Sequence, residues 1–178
     1  LGIGIGANTI VFSWIQSVVF KPIPAVRDSG SYQLIQAKTD TGIYLESSWP
    51  EYRDLRERLR TVRDLLAFRM APLYVGEPGH IERGNGLLVS SNYFPALGLE
   101  PALGRFFGRE ETDTRSGPVI VISYDYWQTR FAGAGDAVGR TLRVNGQDLT
   151  IVGVAPRGFQ GTIMRLSFDM WLPAPLAP

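Results

Sequence analysis

The sequence predicts an α+β domain, and three observations carry that prediction. Strand-like and helix-like segments are mixed without a strict βαβ rhythm. Ser48-Trp49-Pro50-Glu51 has the form of a complete helix start, and Asn145-Gly146 stands between two apolar, β-branched runs as a hairpin signal.

The chain opens on an apolar stretch. Residues 1–20 contain no charged side chain, and Lys21, Pro22 and Pro24 end the run. About 20 residues at helical rise cross a hydrocarbon core of ~30 Å, so residues 1–21 read as the C-terminal part of a first transmembrane helix. A signal peptide fits less well, because no A-x-A-like cleavage site precedes Lys21. Gly2, Gly6, Thr9, Ser13 and Gln16 recur at spacings of four and three, which places them on one helical face. Small and weakly polar residues on one face let two membrane helices approach closely, so these five residues are the candidate helix-packing site. The same glycines allow a rival reading. Gly2-x-Gly4-x-x-Ala7 followed by Asp28 matches a dinucleotide-binding fingerprint, as in an oxidoreductase, but Pro22 and Pro24 spoil the second strand that fingerprint requires.

Past the prolines the composition is that of a folded domain. Residues 32–38 alternate loosely and predict a strand. Ser48 as N-cap, Pro50 in the first turn and Glu51 predict a helix whose apolar stripe is Tyr52, Leu55, Leu59, Val62 and Leu66. The arginines from Arg53 to Arg63 are interleaved with acids at pairing distance, which makes them a solvated face rather than a phosphate site. Strands are expected over residues 65–75 and through Leu87, Leu88 and Val89, joined by the turn Gly76-Glu77-Pro78-Gly79. A short helix over residues 92–97 ends at Gly98 as a left-handed cap. Residues 118–122 are a buried strand, and Ser123 caps a helix carrying Tyr126, Trp127 and Phe131. Residues 141–144 and 147–154 flank Asn145-Gly146 as the arms of the hairpin.

Bulk properties narrow the function. Eighteen basic residues against seventeen acidic ones in a chain of 178 leave a net charge of +1, which gives no field to draw nucleic acid. Cysteine is absent, which excludes disulfides, a thiolate nucleophile and cysteine-ligated metal. His80 is the single histidine and sits in a turn, so neither a serine triad nor a multi-histidine metal site is available. Glu110, Glu111 and Asp113 lack the ligand spacing of a calcium loop and read as a solvated acidic loop. Asp169 is placed either to pair with Arg165 or to end a strand, and Tyr93, Phe94, Phe106 and Phe107 read as core. No catalytic, cofactor-binding or metal-binding residue is expected.

These segments resemble a known family. Gly4-Ile5-Gly6-Ala7-Asn8-Thr9-Ile10-Val11-Phe12-Ser13 and the exit through Pro24 are similar to the first membrane helix of ABC transporter permeases with a MacB-like periplasmic domain, of the MacB/FtsX type. The similarity is strongest to the putative-permease branch found duplicated in acidobacteria. It continues through Ser48-Trp49-Pro50-Glu51-Tyr52, Tyr93-Phe94 with Leu97-Gly98, and Pro101-Ala102-Leu103-Gly104-Arg105. Pro118-Val119-Ile120-Val121-Ile122-Ser123, Val144-Asn145-Gly146, Ile151-Val152-Gly153-Val154-Ala155-Pro156 and Asp169-Met170-Trp171-Leu172-Pro173 extend it to the end. Trp49 and Gln16 depart from the residue types usual in the family.

The resemblance implies a permease subunit of an ABC-type exporter with no catalytic centre and no cofactor of its own. A cytoplasmic ABC ATPase would hydrolyse ATP, and the membrane helices would pass the resulting change to the outer domain. Implied partners are that ATPase, a second permease copy and a periplasmic adaptor. The implied location is the bacterial inner membrane with the main domain on the periplasmic side; that placement rests on the resemblance, because Lys21 and Arg27 mildly favour the opposite side under the positive-inside rule. On this reading residues 22–122 form the extracytoplasmic α/β, porter-like region and residues 123–178 an incomplete strand-rich second lobe, with the boundary near Ser123. The competing class is an extracytoplasmic binding module held by a single anchor, which would work without an ATPase.

Overall fold

A computed structural model describes residues 23–26, 29–35, 37–39, 42–44, 48–108, 111, 117–163 and 165–174. Strands dominate a mixed α/β architecture. The expected membrane stretch lies outside the described residues, as do its packing face (Gly2, Gly6, Thr9, Ser13, Gln16) and the fingerprint residues Gly2, Gly4, Ala7 and Asp28. Among the described residues no helix is long and apolar enough to cross a membrane.

The chain enters through a turn, with Val26 N–H bonded to Ile23 C=O at 3.1 Å. The strands β1 (Ala37–Thr39) and β2 (Gly42–Tyr44) pair only with each other, in an antiparallel ribbon. The strand expected over residues 32–38 is therefore mostly absent. Leu34 is 71% exposed, and with no partner strand and no core to cover it, alternation alone does not make a strand.

Helix α1 (Trp49–Arg58) starts as its sequence dictates. Glu51 N–H donates to Ser48 Oγ, and Ser48 N–H donates to a Glu51 carboxylate oxygen at 2.7 Å. This reciprocal box satisfies two backbone donors that the first turn would otherwise leave unpaired. The apolar stripe, however, overshoots the helix. The chain leaves helical geometry at Leu59, Leu55 and Val62 stay exposed, and Tyr52 is the one buried residue. The Tyr52 hydroxyl bonds Leu65 C=O and Asn92 Oδ1, which pulls the chain back toward the sheet after nearly three turns.

β3 (Phe68–Val75) and β4 (Glu82–Val89) form an antiparallel hairpin over their whole length. The expected strand over residues 65–75 thus begins later, at Phe68. The short helix α2 (Tyr93–Ala96) follows, and Gly98 lies in the left-handed region as expected. β5 (Leu103–Gly104) leads to β6 (Val119–Ile122), a run of four buried residues. Helix α3 (Tyr124–Phe131) is capped by Ser123, whose Oγ accepts the Tyr126 N–H at 3.0 Å. β7 (Thr141–Val144) and β8 (Gln147–Val154) meet at Asn145-Gly146, whose φ angles of 51° and 78° are those of a type I′ turn. β9 (Met170–Pro173) completes the fold.

Among the described residues the main sheet has seven strands in the order β5-β8-β6-β9-β4-β3-β7. β6–β8 and β4–β9 are parallel and the other pairs antiparallel. β7 pairs with β8 along its length and touches β3 at Val75–Val144, so the sheet curls until its ends meet. Strands from before and after Ser123 interleave in this sheet.

Successive side chains along a strand point to opposite faces, and that alternation divides the core in two. Leu87, Val89, Val119, Val121 and Trp171 face α2 and an aromatic cluster. Leu88, Ile120, Ile122, Met170 and Leu172 face inward to Ile151, Val154 and the aromatic residues of α3. Register slips between Ile120 and Val121, where β8 contributes Val152 as an extra residue. Gly153 follows that bulge for a steric reason: a Cβ there would lie 2.0 Å from the Arg105 carbonyl oxygen. Only a residue without a side chain lets the β5 segment dock here, with Arg105 N–H on Val152 C=O and Ala102 N–H on Val154 C=O, each 2.9 Å.

Candidate functional site

The densest chemistry in the described residues is an aromatic hub beneath α2. Phe94 stacks on Phe106 at 4.0 Å and 4° and meets Phe107, Phe159 and Trp171 edge-on at 5.5–6.3 Å. Such pairs contribute about 0.5–1.5 kcal/mol each beyond the area they bury. The reading of Tyr93, Phe94, Phe106 and Phe107 as core is the observed one.

Tyr93 supplies the polar centre of the hub. Its hydroxyl lies 3.0 Å from Thr162 Oγ1, joining α2 to the segment between β8 and β9. The indole N–H of Trp171 is buried without a hydrogen-bond partner among the described residues. Burial pushes the Tyr93 phenol up to about 12 against the opposing pull of Thr162 and Trp171.

One side of the hub is held shut by charge. Glu111, expected on a solvated acidic loop, is 6% exposed. One carboxylate oxygen lies 2.6 Å from Arg105 Nη1, and the other accepts Gly108 N–H at 2.8 Å. Burial raises the Glu111 carboxyl, but the Gly108 N–H and the Arg105 guanidinium outweigh it and leave the group below its ordinary range. Phe106 and Phe107 lie between the two partners in sequence. A charge pair bracketing two aromatics, Arg-Phe-Phe-Gly-x-x-Glu, was the available sequence signal. Glu110 and Asp113 lie outside the described residues.

The turn over residues 23–26 also reaches the hub. Val26 is buried within the hub cluster and Ile23 packs against it. Pro24 and Ala25, the latter at φ 65°, occupy the corner, the arrangement of a type II turn. A little further on, the Tyr32 hydroxyl donates to Ala96 C=O at 2.8 Å, fixing the chain to the end of α2.

Elsewhere the side chains that the sequence singles out have structural partners. Asp169 accepts Asn85 N–H at 3.0 Å, so it registers β9 against β4 rather than pairing with Arg165. The Asn145 side chain accepts Tyr74 N–H while Asn145 N–H donates to Tyr74 C=O, which seals the β3–β7 seam. Arg130 pairs with Glu82, and Arg143 lies between Glu77 and Asp148. His80 is exposed in its turn. Two shallow grooves open on the surface. One of about 360 Å³ runs along Gly104, Arg105, Val138 and Val152, and one of about 500 Å³ lies between Pro72, Tyr74, Ile81 and Arg143. Neither lining contains a histidine or a carboxylate, so neither assembles an acid–base pair. Among the described residues no cluster of three or more His, Cys, Asp or Glu forms.

A curled mixed sheet, sewn to its connecting segments through an aromatic hub, defines a packed scaffold domain. A family model for the MacB-like periplasmic core domain matches residues 1–178, and the chain belongs to that family, whose domains are carried by ABC transporter permeases and are generally non-catalytic. The fold is similar to the periplasmic region of MacB from Actinobacillus actinomycetemcomitans, at 15% identity and a TM-score of 0.57 over 84% of this chain. It is also similar to the extracellular domain of the noncanonic ABC-type transporter YknZ from Gram-positive bacteria, at 16% identity and a TM-score of 0.55 over 70% of this chain. The chain spans 61% of the length of each of these solved domains. No curated protein matches it by sequence.

Proposed function

We propose that this chain is part of a permease subunit of an ABC-type exporter, with its sheet domain outside the membrane and residues 1–20 within it. The observation that carries this reading is the family match over residues 1–178, taken together with the charge-free run that directly precedes the domain. ATP hydrolysis belongs to a cytoplasmic ABC ATPase. The outer domain receives the resulting change from the membrane helices, as force transmission, in company with a second permease copy and a periplasmic adaptor. The location is the bacterial inner membrane, with the domain on the periplasmic side.

Two measurements test this. Full-length protein is expected to resist alkaline extraction from membranes, and release into the soluble fraction would remove the permease reading. Inactivating the partner ATPase is expected to abolish the phenotype that depends on this protein. A phenotype that survives would favour a binding module on a single anchor.

A further inference from the structure

The residues that join the apolar stretch to the sheet domain are held unusually well for a linker. Lys21 and Pro22 end the stretch, and within four residues Val26 is buried in the cluster that contains Phe94 and Trp171. A flexible connection would carry glycine or serine; here Pro24 fixes one φ angle and Ala25 holds a left-handed corner that L-residues avoid. Such a corner persists only where the surroundings determine it, and here the Val26-to-Ile23 hydrogen bond and the burial of Val26 do so.

Resting on the permease reading above, we propose that the turn Ile23-Pro24-Ala25-Val26 is the point at which movement of the membrane segment enters the outer domain. Load arriving along residues 1–21 meets a rigid corner plugged into the aromatic hub. Through Trp171 it reaches β9, which pairs with both β4 and β6 near the centre of the sheet. Further along the chain, the Tyr32 hydroxyl on Ala96 C=O is another attachment to the domain. Ile23 and Val26 are thus positioning residues for transmission.

Slack inserted on either side of the turn separates this path from a path along the chain. The full-length permease is reconstituted with its ATPase in nanodiscs. A label is placed at exposed Gln147→Cys, after replacement of any cysteine that the full-length permease and its ATPase carry outside residues 1–178, and energy transfer to acceptor lipids reports movement of the domain. A Gly-Ser-Gly insertion between Lys21 and Pro22 is expected to abolish the ATP-driven change in transfer. The same insertion between Gly30 and Ser31 is expected to leave it unchanged, with the unfolding temperature of the domain retained in both. Equal loss from the two insertions, or loss from neither, overturns the proposal while leaving the permease reading intact. Absence of any ATP-driven change in the unaltered protein counts against the permease reading instead. The anchor is then judged by amide exchange over residues 22–32 of the full-length protein. Protection at Val26 supports it, and exchange at the rate of an unstructured peptide overturns it.

Discussion

Glu111 lies with its carboxylate 2.6 Å from the Arg105 guanidinium, although only 5% of its side chain reaches solvent while 59% of the Arg105 side chain does. The pair is therefore asymmetric: the acid depends on its partner, whereas the arginine has water as an alternative. It closes the segment that carries Phe106 and Phe107 into the hub.

Arg105→Ala is expected to cost about 2–3 kcal/mol, because it leaves a nearly buried carboxylate without its cation. Glu111→Gln should cost less, about 1 kcal/mol, since its amide oxygen can still accept from Gly108. Because the Glu111 carboxyl is held below its ordinary range, its contribution is whole above that range and drains away as pH falls through the lowered value. Urea denaturation of wild type and Glu111→Gln at a series of pH values checks this. The stability gap should close on acidification, and a gap independent of pH would show that the charge is not what holds the segment.

Gly153→Ala places a methyl group where the Arg105 carbonyl oxygen stands, and the three nearest atoms all belong to the Arg105 backbone. The segment at β5 must move or the bulge must unwind. A loss of about 3 kcal/mol is expected by thermal denaturation, at the upper end of ordinary overpacking. Gly117→Ala, with open space around the added carbon, should change stability little and serves as the control.

Tyr93→Phe removes the hydroxyl that partners Thr162 Oγ1. Losing that hydrogen bond should cost about 1 kcal/mol. Absorbance titration gives a second readout. One tyrosine of the folded wild type should ionise only near pH 12, and that late step should be missing from the variant.

Gly2, Gly6, Thr9, Ser13 and Gln16 are proposed to meet another membrane helix. Gly6→Leu puts bulk where two backbones approach and should weaken that contact, while Ile10→Leu, off the face, should not. Gln16→Leu should be the milder interface change, because polar contacts within membranes average about 0.6 kcal/mol. Cysteine crosslinking along residues 2–17 should peak at positions 2, 6, 9, 13 and 16. A uniform pattern in active protein would show the stripe to be incidental.

Local chemistry by itself determined a good deal of this protein. Ser48 with Glu51, Ser123 before α3, and Asn145-Gly146 each needed only neighbours within three residues, so the helix starts and the hairpin were legible in the sequence. The run Val119–Ile122 was legible for the same reason, since four consecutive apolar residues leave no face for water. The order of motifs along the chain also carried the family, because that order is a property of the sequence.

Tertiary structure decided what depends on residues far apart. Helix α1 ends at Arg58 although its apolar stripe runs on to Leu66: Tyr52 is buried and Leu66 packs against the hub, while Leu55 and Val62 between them meet no covering surface and stay exposed. Leu34 and Ile35 look like strand residues and remain exposed without a strand to pair with. Glu111 looks solvated among acids, yet Arg105, pinned to β8 at Val152 C=O, stands ready to neutralise it. The placement of Val26 in the hub is a decision of the same kind, since Phe94 and Trp171 come to it from distant parts of the chain. Backbone propensities and caps act over one turn of chain; burial and charge pairing act across space, and only the closed sheet sets which partners meet.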